Sequence, residues 1–137
     1  MPAVDEDKDP LARQADEEFE ITDKRFEESS SPQKLVIRFT NRGNNIIRVE
    51  KVKYSDTSLG LHESAILPSY RKESRGYYAI PFDASKAEVA PGQDFLAEIC
   101  LAQTWKREDI HRMTGKWGYL RLDILYMGKS VEVFNAI

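Results

Sequence analysis

Few residues in this chain do chemistry unaided: there is one cysteine, Cys100, and there are two histidines, His62 and His111. A serine or cysteine nucleophile needs a base beside it, or a strained elbow that exposes it. The sequence holds no G-x-S-x-G, and no histidine adjoins Cys100. A single cysteine excludes an internal disulfide and any zinc site built on cysteine pairs. No glycine-rich stretch opens into a helix to cradle phosphate, and two histidines without a third ligand do not define a metal site. Cys100 falls in an alternating run and reads as a half-buried β residue, the usual state of a free cysteine. The expectation is a protein that is not an enzyme, with no catalytic residues, no cofactor and no metal.

Binding chemistry is better represented. Two irregular segments, 55–76 and 104–116, contain both histidines together with Tyr70, Arg71, Lys72, Arg75, Trp105, Lys106, Arg107 and Arg112. Tryptophan, tyrosine and arginine are the side chains enriched at binding hot spots. Whether these residues meet depends on the elements that carry them.

Those elements read as strands. In 34–40, Leu35, Ile37 and Phe39 share one parity while Lys34, Val36, Arg38 and Thr40 share the other, the period-two pattern of a strand. The corner at 41–45 supplies Gly43 and three asparagines, which tolerate positive φ cheaply. Ile47 and Val49 then lie on one parity, and Val52 and Tyr54 on the other, so a β-bulge is expected at Glu50-Lys51. Upstream, Phe19, Ile21 and Phe26 suggest an edge strand that ends at 29–32. Pro10, Leu11, Ala15 and Phe19 also fit a two-turn helix, which is marginal unless packed. Downstream come a short strand at 77–80, a type II turn around Pro91-Gly92, a strand over 95–101, and a closing hairpin through 127–129. A short helix is expected within 104–116, capped by Thr104 and ended by Gly115.

Seven extended runs with at most one or two short helices indicate an all-β, antiparallel sandwich. Their order resembles that of immunoglobulin-like and fibronectin-III-like sandwiches over roughly residues 18–135, although paired cysteines are lacking. The resemblance implies a role for Tyr119 as the tyrosine near the start of the penultimate strand. The expected organisation is an acidic flexible leader, 1–17, and a single sandwich domain, 18–137. If successive strands run up and down, the connections at 29–32, 55–76 and 104–116 share one end. Loops gathered on a rigid scaffold are where such folds place binding. His62, Tyr70, Arg71, Trp105, Arg107, His111 and Arg112 are therefore the candidate binding residues.

Charge narrows the partner. Residues 1–28 carry eleven acids against four bases, and residues 29–137 twelve against sixteen, so an acidic arm adjoins a body at +4. A body so weakly basic argues little for nucleic acid. A protein partner is the leading expectation. One alternative is a carbohydrate-binding sandwich using Trp105, Trp117 and the tyrosines. Another is a β-barrel that binds single-stranded nucleic acid through Arg38, Arg48, Lys51, Lys53 and Arg121, or a cyclic nucleotide. For the latter, Asp56-Thr57-Ser58-Leu59-Gly60 resembles the signature of cyclic di-GMP-binding PilZ domains, with the glycine one place early and the preceding paired arginines missing. The outer-face charges Arg48, Glu50, Arg121, Asp123 and Glu132 also read as cross-strand pairs. No apolar run reaches the roughly 18 residues that span a bilayer, and no signal peptide is evident. The chain is expected to be cytoplasmic, or a soluble domain of a longer exported or membrane-anchored one.

Overall fold

In the computed structural model of the protein, residues 10–55, 72–74, 76–101, 106–108 and 118–137 are described, with 72–74 in backbone only. They include a helix, α1 (Pro10–Glu18), two further helical residues, Arg107 and Glu108, and nine strands: β1 (Phe19–Glu27), β2 (Lys34–Asn41), β3 (Ile47–Ser55), β4 (Lys72–Ser74), β5 (Tyr77–Ala79), β6 (Glu88–Val89), β7 (Asp94–Cys100), β8 (Tyr119–Tyr126) and β9 (Lys129–Ala136). Seven of these are the expected extended runs. The other two, β4 and β6, are only three and two residues long. Among the described residues, no helix is long and apolar enough to cross a membrane.

The strands make two antiparallel sheets. One has the order β1-β2-β7; the other runs β4-β5-β3-β8-β9, with β6 pairing beside the start of β3. β2 and β3, consecutive in sequence, do not pair: the corner at 41–46 carries the chain from one sheet to the other. Alternation decides the interior. Leu35, Ile37, Phe39, Phe95, Ala97 and Ile99 from the first sheet meet Val52, Tyr54, Leu120, Leu122, Ile124 and Val133 from the second in one buried cluster. The bulge in β3 lies between Val49 and Lys51, as the parity change requires. A second bulge, between Ile21 and Asp23, was not foreseen. It moves the inward parity of β1 from Phe19 and Ile21 to Lys24 and Phe26.

Turn chemistry follows backbone need. Gln93 N–H donates to Ala90 C=O at 2.9 Å with Gly92 at φ +83°, the type II turn expected from Pro91-Gly92. In the closing hairpin, Met127 and Gly128 both have positive φ between the paired Tyr126 and Lys129. That geometry is a type I′ turn, whose twist matches the flanking strands.

α1 packs against β9 and delivers the chain into β1, burying Ala12 and Ala15. Its inner side is tied by Tyr126, whose hydroxyl donates to Glu18 Oε1 at 2.6 Å and accepts from Gln14 Nε2 at 2.9 Å. Burial, and then the Glu18 carboxylate, push the Tyr126 hydroxyl above its ordinary pKa. Tertiary packing of this kind is what a two-turn helix needs to persist.

The sheets are joined at the opposite end from 29–32 by Asn41, which is fully buried. Its Nδ2 donates to Asn45 C=O at 2.7 Å and to Val89 C=O at 2.9 Å, and its Oδ1 accepts from Gly43 N–H at 3.0 Å. Its backbone N–H donates to Gln93 C=O, and its C=O accepts from Gly92 N–H. One residue thus ties together the sheet-crossing corner and the end of β6 through its side chain, and the turn that leads into β7 through its backbone. Asn41→Leu strands several buried polar groups at once. The unfolding free energy is expected to fall by about 2–4 kcal/mol, read from urea denaturation with an unchanged slope; a loss below about 0.5 kcal/mol would contradict this role for the side chain.

Candidate functional site

A strand at the edge of a sheet leaves a row of backbone donors and acceptors unpaired, and proteins usually blunt such rows. Three edges here are blunted. β1 carries the bulge at Ile21/Asp23, and at Lys24 a lysine takes an inward position opposite Ile37, where burial lowers its pKa. β9 is covered by α1. The β4 and β6 margins are very short.

β7 is treated differently. It pairs with β2 over seven consecutive residues without a register shift, and no strand among the described residues pairs with its other side. The phase of this ladder is fixed at both ends. Asn41 N–H donates to Gln93 C=O, and Leu101 N–H donates to Gln33 C=O at 2.8 Å. In an antiparallel pair, directly opposite residues alternate between bonded and non-bonded positions. Phe95, Ala97 and Ile99 therefore aim their N–H and C=O groups at β2. Asp94, Leu96 and Glu98 aim theirs at the open side. Their side chains lie on the outer face, and Leu96 is 42% exposed.

Beside that edge runs a groove of about 860 Å³. Its far wall includes Pro81, Phe82 and Lys86, its near wall is β7, and Arg38 on β2 lies behind Leu96. Phe82 sets its ring edge-on to the buried Phe95 at 5.6 Å, and both residues line the groove. Asp83 starts the 3₁₀ turn Ala84–Lys86 by accepting from Ser85 N–H and Oγ, and these bonds hold its carboxyl below the usual range. Also lining the groove, Asp94 accepts through Oδ1 from Thr40 Oγ1 at 2.7 Å. Glu98 bonds Lys34 Nζ at 2.5 Å, a hydrogen bond that raises the lysine's pKa.

Of the residues expected to bind, only Arg107 is described. His62, Tyr70, Arg71, Trp105, His111 and Arg112 lie outside the described residues, as do Trp117 and 56–60. The Arg107 backbone N–H donates to Glu28 Oε2 at 2.9 Å, its Nε lies 3.5 Å from Glu28 Oε1, and its guanidinium sits 6.0 Å from the Phe26 ring centre. Arg107 is thus anchored beside the 28–33 connection, as the alternation of strand directions requires. The five bases considered for nucleic acid are not gathered together: Arg38 is on the outer face of the three-stranded sheet, and Arg48, Lys51, Lys53 and Arg121 are on the other sheet. Lys53 lies 3.1 Å from Glu132 and 3.7 Å from Asp123, and Arg121 lies 3.6 Å from Glu132. Such exposed pairs contribute little each.

Aromatic residues on that second face stack on one another. Tyr119 lies against Phe134 at 5.1 Å, and the Arg121 guanidinium lies between the Phe134 and Tyr77 rings at 5.3 and 4.9 Å. Tyr119 is therefore part of an outer-face stack and not a corner tyrosine. Cys100 is half-buried at the end of β7. Among the described residues, no three His, Cys, Asp or Glu side chains are grouped to hold a metal ion. The chain matches no protein-family profile, no curated protein and no solved structure.

The β7 edge was missed from sequence, although one signal was present: Leu96 interrupts the polar parity Asp94, Glu98 with an exposed apolar residue. Proline substitution tests the geometry. Leu96→Pro removes an N–H that faces outward, whereas Ala97→Pro removes one bonded to β2 and places a proline ring in the ladder. Ala97→Pro is expected to destabilise by at least about 2 kcal/mol more than Leu96→Pro, measured by urea unfolding. Equal losses would contradict the assigned phase.

Proposed function

We propose that this chain is a non-enzymatic binding and assembly module of immunoglobulin-like or fibronectin-III-like build. It engages a protein partner by accepting an extended segment of that partner as an extra strand on β7. The order of strands supports the build. In the letters used for that family, β1-β2-β7 stand as A-B-E and β9-β8-β3 as G-F-C, with β5 added beside C. Constant-type members place a D strand on the free side of E; among the described residues that place is unfilled.

The observation that carries the reading is the contrast between edges. Three are protected by a bulge, a helix or brevity, and one is long, regular and bordered by a groove. Strand addition gains affinity from backbone bonds and specificity from alternate side-chain contacts. β7 supplies outward donors and acceptors at Asp94, Leu96 and Glu98, and Phe82, packed on Phe95, supplies an apolar lining beside them. The loop-end surface read from sequence keeps only Arg107 among the described residues, and its guanidinium is already engaged by Glu28 and Phe26.

The test is selection of extended peptides from a displayed random library, followed by affinity measurement with fluorescent peptides. Selected peptides are expected to bind the wild type and to lose roughly tenfold or more in affinity against Leu96→Pro, since one backbone bond disappears and the added strand is wedged away. Equal binding to both proteins, or no enrichment, would refute strand addition.

A further inference from the structure

We infer that the segment received by β7 has a basic residue, three apolar residues and a second basic residue in succession, and so carries positive charge in register with Asp94 and Glu98. This rests on strand addition at β7 and specifies the chemistry of the partner.

The register follows from the ladder. Each outward-facing residue of β7 would exchange both backbone bonds with the residue directly opposite it. Asp94, Leu96 and Glu98 therefore select three alternate positions of the incoming strand, whose side chains share their outer face. Directly opposite side chains lie about 5 Å apart, close enough for charge to matter. The positions facing Asp94 and Glu98 favour Lys or Arg, and the one facing Leu96 favours an apolar residue. The two intervening residues point to the other face, toward Phe95 and Phe82, and favour apolar side chains.

Both carboxylates retain room for a further cation. Asp94 is bonded to the neutral Thr40 hydroxyl, and among the described residues no ion pair neutralises it. Glu98 holds Lys34 through Oε1 alone. A carboxylate offers about four acceptor positions. Two bases that line the groove rise from strands farther off, and Arg38 Nε is turned toward β1, where it donates to Thr22 Oγ1 at 3.1 Å. Arg38 is on β2 and Arg25 on β1, so an added strand would lie about 10 and 14 Å from their respective backbones. Arg25 is also paired with Glu27 at 3.2 Å. On the far wall, Asp83 and Glu88 offset Lys86. The charges nearest the incoming strand are therefore acidic. The same acids disfavour a second copy of this chain: a two-fold axis centred on Leu96 would set Asp94 against Glu98 twice, and like charges directly opposite destabilise a pair.

Three short synthetic peptides test this, sharing a Val-Ile-Val centre flanked on both sides by Lys, Thr or Glu. Their affinities for the full chain are read by fluorescence anisotropy at low and moderate salt. The Lys peptide is expected to bind roughly tenfold or more tighter than the Glu peptide at low salt, with the Thr peptide between them. The gap should narrow with salt and collapse in the shape-preserving variant Asp94→Asn with Glu98→Gln, and Leu96→Pro should abolish binding of all three. Equal binding of the three peptides, lost in Leu96→Pro, would overturn the charge assignment and leave strand addition standing. A Lys preference that survives Leu96→Pro, or no binding by any peptide, would overturn both. Self-association of the chain that Leu96→Pro abolishes would overturn the assignment by making a second copy the occupant.

Discussion

Asn41 is the point through which the two sheets are held in relation to each other. A buried amide has to satisfy its donors and acceptors locally, and the partners of Asn41 come from three places: the crossing corner, the end of β6, and the turn that starts β7. Its side chain sets the distance between sheets, while its backbone sets the phase of β2 against β7. That phase decides which β7 amides face inward and which face the groove. The backbone of one residue at an end of the sandwich, held in place by its own buried side chain, therefore sets which amides are available along an edge some residues away.

The edges show how the fold distributes protection. A two-sheet sandwich must leave edges, and this one sets helix α1 against β9 and places a bulge with an inward lysine on β1. β7 has neither. It also has the pattern that invites pairing: apolar Phe95, Ala97 and Ile99 hold it firmly to the core, while Leu96 leaves an apolar residue exposed on the outer face. Under the proposed strand addition, the two acids flanking Leu96 would discourage pairing with acidic or like strands and favour a basic one. An open edge of this kind combines stability with selectivity, because the strand itself need not move to receive a partner.

Local features were legible in the sequence because they depend on a few adjacent residues. Alternation marked β2, β3, β7, β8 and β9. Pro91-Gly92 and Met127-Gly128 carried their turns, and the parity change at Glu50-Lys51 marked a bulge. What depends on neighbours distant in sequence was not legible. The pattern of β2 and β3 says that each is a strand, but not that they belong to different sheets. The bulge in β1 is hidden because Thr22 and Asp23 are both polar, so the extra residue leaves no mark in the apolar pattern. The docking of α1 depends on Tyr126, more than a hundred residues away. The open side of β7 depends on sheet order, which no single strand encodes. The binding surface read from sequence drew on residue types in irregular segments, whereas the proposed β7 edge relies on backbone groups, which have no signature in a sequence.

Backbone amide exchange along β7, followed residue by residue by NMR in the free protein, tests the openness of this edge most directly. Slow exchange at Phe95, Ala97 and Ile99, alternating with fast exchange at Leu96 and Glu98, is the result required if β7 presents an unpaired row to the groove. Uniformly slow exchange from Phe95 through Ile99 would mean that the outer row is already bonded, and would contradict a strand-receiving role for β7.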